Sequence, residues 1–367
     1  LKKSIQKLNN LYFKKLNTKR KSLTVKNKVH KKILSHLTDR EFKKIYNNFE
    51  KFLKDRKIES FVVSLSGGPD SLSLAYFSKC YQLLNNKDVH YVHIDHKIRK
   101  NSTKEAKNLK YFIKKFQINC EILSWKKNKK IRATQENARI ARYSLLEKFC
   151  KRKKINALLL AHHQDDLYEN FFIRMLRGSG IRGLTSFSSK DTILNNSLKG
   201  YRPFLELTKK TLLKVTNKVF GYYIDDPSNS NNEFLRIRVR KLINNLQNEG
   251  FDKKKFDLTY CNLHSANETL RFYSNQNILN NTNYFSKNIK DTIVINSKFF
   301  KQPDEIVLRS LSRLISKTNK KYYFPRGKNI LKKICEIRGN YFKQTTIGGC
   351  IIERVNNTTL IYPENIK

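Results

Sequence analysis

The chain has 367 residues, enough for two or three domains and a sizeable core. Its 76 Lys and Arg stand against 30 Asp and Glu, a formal net charge of +46, which points to a polyanionic partner and away from a basic one. No run approaches the roughly 18 apolar residues of a membrane-spanning helix, and the six cysteines, at 80, 120, 150, 261, 335 and 350, form no C-x-x-C pair, which argues against a zinc ribbon or a local iron–sulfur cradle and suits reduced thiols in a cytosol.

Lys, Asn, Ile, Phe and Tyr are abundant together, as A/T-rich coding would make them, so the charge counts as supporting evidence only. Residues 1–38 carry twelve Lys or Arg and no acid, and no signal-peptide hydrophobic core; they read as a flexible basic arm. Phe42, Ile45, Phe49 and Phe52 then share one face of a helix that leads into the apolar run Phe61–Leu65. That run reads as a buried parallel strand. It ends in Ser66-Gly67-Gly68-Pro69-Asp70-Ser71, a glycine turn opening a helix that carries Leu72, Leu74, Ala75 and Phe77. Glycines let the backbone approach a ligand closely, and backbone N–H groups at a helix start favour an anion. Ser66 and Ser71 add hydroxyls. A Walker A loop is excluded, because no Lys follows Gly68 until Lys79.

A second strand, Val89–Ile94, ends at Asp95-His96. A helix is predicted over about 102–116, with Ser102 as N-cap and Glu105 completing a capping box. A short strand at Cys120–Leu123 follows, then a helix over 137–149 with Ala138, Ala141, Leu145 and Phe149 as its stripe. Ala157–Ala161 reads as a buried strand, with a helix opening near His162–Asp166. On that helix His162, Asp166 and Glu169 would lie at i, i+4 and i+7, on one face. Two carboxylates facing a phosphate loop suit Mg²⁺. The β-α alternation predicts an α/β fold: a mostly parallel twisted sheet with helices on both faces and ligands beyond the carboxyl ends of the strands. The clusters at 66–71, 93–99 and 162–169 all fall at such ends. From about Lys241 the chain reads as polar helices to about Lys333, then a small terminal sheet. The expected domains are a basic extension at 1–38, a catalytic domain at 39–240 and a smaller, mostly helical RNA-contacting domain at 241–367.

Taken in order, the motifs resemble one family, the tRNA(Ile)-lysidine synthases, which are N-type ATP pyrophosphatases (PP-loop proteins). They are S-G-G-x-D-S at Ser66–Ser71, H-x-D-H-x-x-R at His93–Arg99, H-x-x-D-D-x-x-E at His162–Glu169, and R-G-S-G-x-x-G-L at Arg177–Leu184. Arg202-Pro203-Phe204-Leu205, Asp226-Pro227-Ser228-Asn229 and the pair Arg236/Arg240 complete the series, and Glu136–Tyr143 resembles the family's E-x-A-R-x-x-R-Y helix. Asn170 and Asn137 depart from the family pattern, and the usual Pro after Arg240 is missing.

The resemblance implies an adenine nucleotide alpha hydrolase-like fold, a cytoplasmic enzyme, ATP and Mg²⁺. It implies that the cytidine at the first anticodon position of a tRNA(Ile) with a CAU anticodon is adenylylated, then attacked by free L-lysine. Ser66, Gly67, Gly68, Pro69, Asp70, Ser71, His96 and Arg99 are then expected to bind ATP. Asp70, Asp166 and Glu169 are expected at Mg²⁺ and, with His162, in catalysis. Arg139 and Arg142 are expected to bind phosphate or the lysine carboxylate. Arg177, Gly178, Gly180, Arg236, Arg238 and Arg240 are expected on tRNA, beyond the nucleotide clusters. A homodimer is compatible with the resemblance. The alternative is another PP-loop tRNA-modifying enzyme such as a tRNA thiolase.

Overall fold

The computed structural model describes residues 28–97, 101–125, 135–187, 191–193, 198–224, 235–284, 292–319 and 327–364. The chain divides into two compact units, one drawn from Leu1–Gly178 and Ser186–Glu249, the other from Ser179–Thr185 and Gly250–Lys367. No helix among the described residues is long and apolar enough to cross a membrane.

In the first unit, helix α1 (Arg40–Asp55) begins where the Asp39 carboxylate accepts the backbone N–H groups of Glu41 and Phe42, at 2.9 and 3.3 Å. It buries Phe42, Ile45, Tyr46, Phe49, Phe52 and Leu53. Strands β1 (Phe61–Leu65), β2 (Val89–Asp95), β3 (Cys120–Ser124), β4 (Ala157–Leu159), β5 (Asp191–Ile193) and β6 (Lys199–Tyr201) form a sheet in the order β3-β2-β1-β4-β6-β5. Every neighbouring pair is parallel except β5 with β6. The chain winds outward from β1 to β3, then returns to β4 on the other side of β1. That reversal is the switch point at which a doubly wound sheet opens a crevice.

Alternate residues of β1 feed two cores. Phe61, Val63 and Leu65 face α1, α2 (Pro69–Asn85), α3 (Ser102–Lys114) and α7 (Lys209–Phe220). Val62 faces the other way, with Val92, Ile94, Leu158 and Leu160, onto Leu146, Phe149 and Cys150 of α4 (Gln135–Lys153). A strand covered on both faces is apolar throughout, as the run Phe61–Leu65 nearly is. Phe49 sets its ring 6.5 Å from Phe61, 6.3 Å from Tyr81 and 6.0 Å from Phe204, centroid to centroid. Removing that ring would cost about 3–5 kcal/mol.

The helix starts reveal one correction. Ser102 is already helical and Asn101 holds the N-cap position without a side-chain bond, so the expected capping box is not built. The Asp95 carboxylate accepts the Thr103 hydroxyl instead, at 2.7 Å, and ties the start of α3 to the end of β2. Two further helices matter below: α5 (Gln164–Leu176) and α8 (Leu235–Asn248). They pack together, so the first unit runs on to Glu249.

The second unit holds the short helix α6 (Ile181–Leu184), the long α9 (Lys253–Asn281), α10 (Asp304–Thr318) and α11 (Gly327–Arg338). Its antiparallel sheet runs β7-β8-β11-β10-β9, from β7 (Thr282–Tyr284), β8 (Ile293–Asn296), β9 (Gln344–Ile347), β10 (Cys350–Val355) and β11 (Thr358–Pro363). The terminal strands and the Gly348-Gly349 turn lie where the sequence places them. β7 and β8 interrupt the stretch read as helical. Ile293-Val294-Ile295 is β-branched and pairs with Thr359–Ile361, burying Ile293 and Ile295 in the unit's core.

Candidate active site

The loop after β1 is held shut by one hydroxyl. Ser71 Oγ accepts the backbone N–H of Ser66 at 3.2 Å and of Gly67 at 3.1 Å, and donates to the Gly68 carbonyl at 2.9 Å. The Ser66 hydroxyl donates to Ser71 Oγ at 3.1 Å. Ser71 therefore shapes the loop, rather than standing as an open donor for a ligand. Gly67 has φ +93°, and a Cβ there would lie 2.9 Å from Ile224 Cδ1. Only glycine takes that conformation in that space. Gly68 caps α2, and Pro69 opens it, where a missing N–H costs nothing. Asp70 follows in the first turn, with its Oδ1 buried and accepting no hydrogen bond.

Beyond β4 the helix begins two residues later than the spacing argument assumed. α5 starts at Gln164 with His163 as its N-cap, so His162 precedes the helix and shares no face with Asp166 and Glu169. His163 takes the central place. Its Nε2 lies 3.6 Å from Asp70 Oδ2 and 3.5 Å from Asp166 Oδ2, and its Nδ1 lies 3.6 Å from Asp165 Oδ2. Burial alone would lower its pKa, but the three carboxylates outweigh burial and raise it. His162 goes the other way. Burial, then Arg202, Arg142, Arg236 and Arg139, drive its pKa well below the ordinary histidine range. Its Nδ1 accepts from Arg202 Nε at 3.2 Å, which leaves the proton of the neutral ring on Nε2. The Arg202 guanidinium lies 4.6 Å from the centroid of the Phe187 ring. The role of His163 went unread in the sequence, and Arg202 was read only as part of a motif, without its contact to His162; the signal for His163 was the double histidine between a buried strand and a pair of acids.

Two arginines of α8 close the cluster. Arg236 donates through Nε to Glu169 Oε2 and through Nη2 to Asp166 Oδ1. Arg240 donates through Nε to Glu169 Oε1 and, at 3.4 Å, through Nη2 to Oε2. Asp166 also accepts the His163 backbone N–H at 3.1 Å, capping α5. Burial still pushes the Asp166 carboxyl above its ordinary range, against the pull of His163 and Arg236. Arg236 and Arg240 therefore do not lie beyond the nucleotide clusters, as their distance in sequence suggested. Arg238 points to the exposed face between the buried Ile237 and Val239.

At the end of β2, His93 donates through Nδ1 to the Leu65 carbonyl at 2.9 Å, fastening β2 to the loop strand. Burial pushes the Asp95 carboxyl up, but the hydrogen bonds from Thr103 and Lys97 prevail and hold it below its ordinary range. His96 is half-buried, its Nδ1 has no hydrogen bond, and burial and then Arg142 lower its pKa. Arg139 and Arg142 sit 5.2 and 5.1 Å from the Tyr143 ring centroid. Arg99 and Asp226–Asn229 lie outside the described residues. Arg177 caps the end of α5, and Gly178 follows with φ +69°. Gly180, the N-cap of α6, belongs to the second unit.

The donors fit a magnesium ion through Asp70, whose buried Oδ1 has no hydrogen-bond partner among the described residues. Asp166 and Glu169 are both taken by arginine. Among the described residues no three His, Cys, Asp or Glu side chains are grouped to hold a metal ion, so the expected trio is not arranged as one ligand set.

Residues 39–247 match the family described as the PP-loop domain, an ATP-binding domain. The chain is 30% identical to the tRNA(Ile)-lysidine synthase of Orientia tsutsugamushi over 87% of its length and 73% of that protein's. The enzyme of the same name from Wolbachia pipientis is 29% identical over 83% and 70%, and that of Rickettsia prowazekii 27% over 88% and 74%. The chain belongs to the tRNA(Ile)-lysidine synthase family, whose members are ligases. Among solved structures, the U34-tRNA thiolase NcsA of Methanococcus maripaludis is similar over 56% of this chain and 72% of its own, at 18% identity and a TM-score of 0.48, too low to bear on function.

Proposed function

We propose that this chain joins L-lysine to carbon 2 of the cytidine at the first anticodon position of a tRNA(Ile) bearing CAU, through an adenylylated tRNA, with release of AMP and pyrophosphate. The observation that carries this reading is the convergence of the glycine loop, Asp70, His163, Asp166 and Glu169 at the carboxyl ends of β1 and β4.

The loop N–H groups at Gly67 and Gly68 would face the phosphates, with the start of α2 adding its dipole. Magnesium, held by Asp70 and phosphate oxygens, would neutralise charge on the nucleotide. His163, whose cationic form its three acids favour, stands beside Asp70 and would donate to a phosphate oxygen. His162, neutral and protonated on Nε2, offers a hydrogen bond without adding charge. The lysine amine, with a free pKa near 10.4, must lose a proton before it attacks. Asp166, whose carboxyl burial raises, would accept that proton. Arg236 and Arg240 hold Glu169 in place through their guanidinium groups. Arg177, Arg238 and the Gly-rich loop from Gly178 to Gly180 supply cationic and close-approach surface for the tRNA backbone, and the net charge of +46 favours that partner. A cytoplasmic setting matches these substrates.

The test is incubation with ATP, Mg²⁺, labelled lysine and two transcripts with the same CAU anticodon, one an isoleucine tRNA and one a methionine tRNA. Lysine should enter the isoleucine tRNA alone, with AMP and pyrophosphate as co-products. ADP and inorganic phosphate, or equal labelling of both tRNAs, would overturn the assignment.

A further inference from the structure

A second cavity, of about 480 Å³, opens at the other end of the first unit's sheet. It is lined at the amino ends of β2 and β3, by Val89, His90 and Tyr91 and by Asn119, Cys120 and Glu121. Lys79 of α2 and Lys110 and Lys114 of α3 complete its basic wall. Lys79 lies nine residues beyond Asp70 along α2, roughly 13 Å by helical rise, so this cavity is separate from the nucleotide loop.

The charges of the lining do not balance. Lys79 is 7% exposed, and among the described residues its ammonium has one partner, the neutral side-chain oxygen of Gln82, at 3.0 Å. Lys110 and Lys114, both exposed, make no ion pair among the described residues. The two acids in the lining are engaged elsewhere. Asp88 pairs with His90 at 2.9 Å, and Glu121 with Arg152 at 3.3 Å and Lys153 at 3.8 Å. A buried ammonium whose only partner is neutral is costly unless an anion completes it.

We propose that this cavity is an anion site for the phosphate group of a small molecule, held by Lys79, Lys110 and Lys114. Phosphate suits the lining better than a carboxylate does. Its double charge answers several ammonium groups, and its oxygens accept from several donors at once, as lysine-rich phosphate sites do. Burial already depresses the pKa of Lys79, and an anion at the cavity would restore it.

The probe is inorganic phosphate, and the readout is residue-resolved. Lysines of the full chain are acetylated with and without phosphate, and each is mapped by mass spectrometry. Phosphate should protect Lys79 at least about fivefold, and Lys110 and Lys114 to a lesser degree, while Lys87 outside the cavity keeps its rate. Titration calorimetry gives the second measurement. Lys79→Met should weaken one phosphate-binding event by about tenfold or more and Lys79→Arg should retain it, with AMP formation from ATP unchanged in both. Unchanged acetylation of Lys79 under saturating phosphate would overturn the proposal. So would protection by tRNA but not by phosphate, which would make the cavity a contact for nucleic-acid backbone.

Discussion

His163 sets its Nε2 3.6 Å from Asp70 Oδ2, so the end of β4 and the start of α2 meet through one imidazole. The contact joins the two sides of the sheet's switch point. Its neighbour His162 faces Arg202 instead. Two adjacent histidines thus carry opposite charge preferences in one site, one stabilised as a cation by acids and the other kept neutral by burial and arginines.

Asp70→Asn should reduce AMP and pyrophosphate formation by about 10²- to 10³-fold while leaving the far-ultraviolet circular dichroism unchanged. The amide keeps the shape of the carboxylate and removes the negative charge beside His163. Near-normal turnover would mean that Asp70 does not face the reacting phosphates.

Arg236→Ala should impair both stability and turnover. It leaves Glu169, 4% exposed at its side chain, with Arg240 alone, and takes the arginine from Asp166. Since the Arg236 side chain is itself 47% exposed, the loss should be about 1–2 kcal/mol, below that of a fully buried pair. The urea midpoint reads it. Arg236→Lys should rescue little, because an ammonium does not span two carboxylates as a guanidinium does. A loss of tRNA affinity alone, with stability and ATP use intact, would return Arg236 to the tRNA surface.

The two histidines should leave opposite marks on stability against pH. His163 has a raised folded pKa, so its contribution is fully present below the unfolded value of about 6.5 and is lost as pH rises through the folded value. His162 has a lowered folded pKa, so its contribution is present above about 6.5 and is lost as pH falls through the folded value. Urea midpoints of His163→Gln and His162→Gln, each compared with the parent chain from about pH 5 to about pH 8.5, should diverge in opposite directions. Parallel curves would show that the histidines do not titrate as their surroundings dictate.

Gly67→Ala should cost about 1–3 kcal/mol and weaken ATP binding, because φ +93° disfavours any Cβ and the added carbon would meet Ile224. Ile224→Val removes the contacting Cδ1 methyl and should recover only part of the loss, since the backbone conformation remains strained. Full recovery would assign the whole effect to the contact.

Local sequence determined the elements and the ligand loop. Apolar runs, helical stripes and glycine turns act over a few residues, so Phe61–Leu65, the loop to Ser71 and the helix of Asp166 and Glu169 were legible, and the order of motifs identified the family. Helix starts were less so. A shift of two residues at Gln164 exchanged His162 for His163, because the true N-cap depends on hydrogen bonds that spacing does not show. Only the tertiary structure decided the charge partners. Arg236 reaches Glu169 across 67 residues and Asp166 across 70, and Lys79, Lys110 and Lys114 line one cavity made by neighbouring elements. β8 likewise became a strand by finding β11 rather than by local preference alone. Such pairings arise when packing removes water from charges and backbone groups, and which groups then meet is a property of the fold.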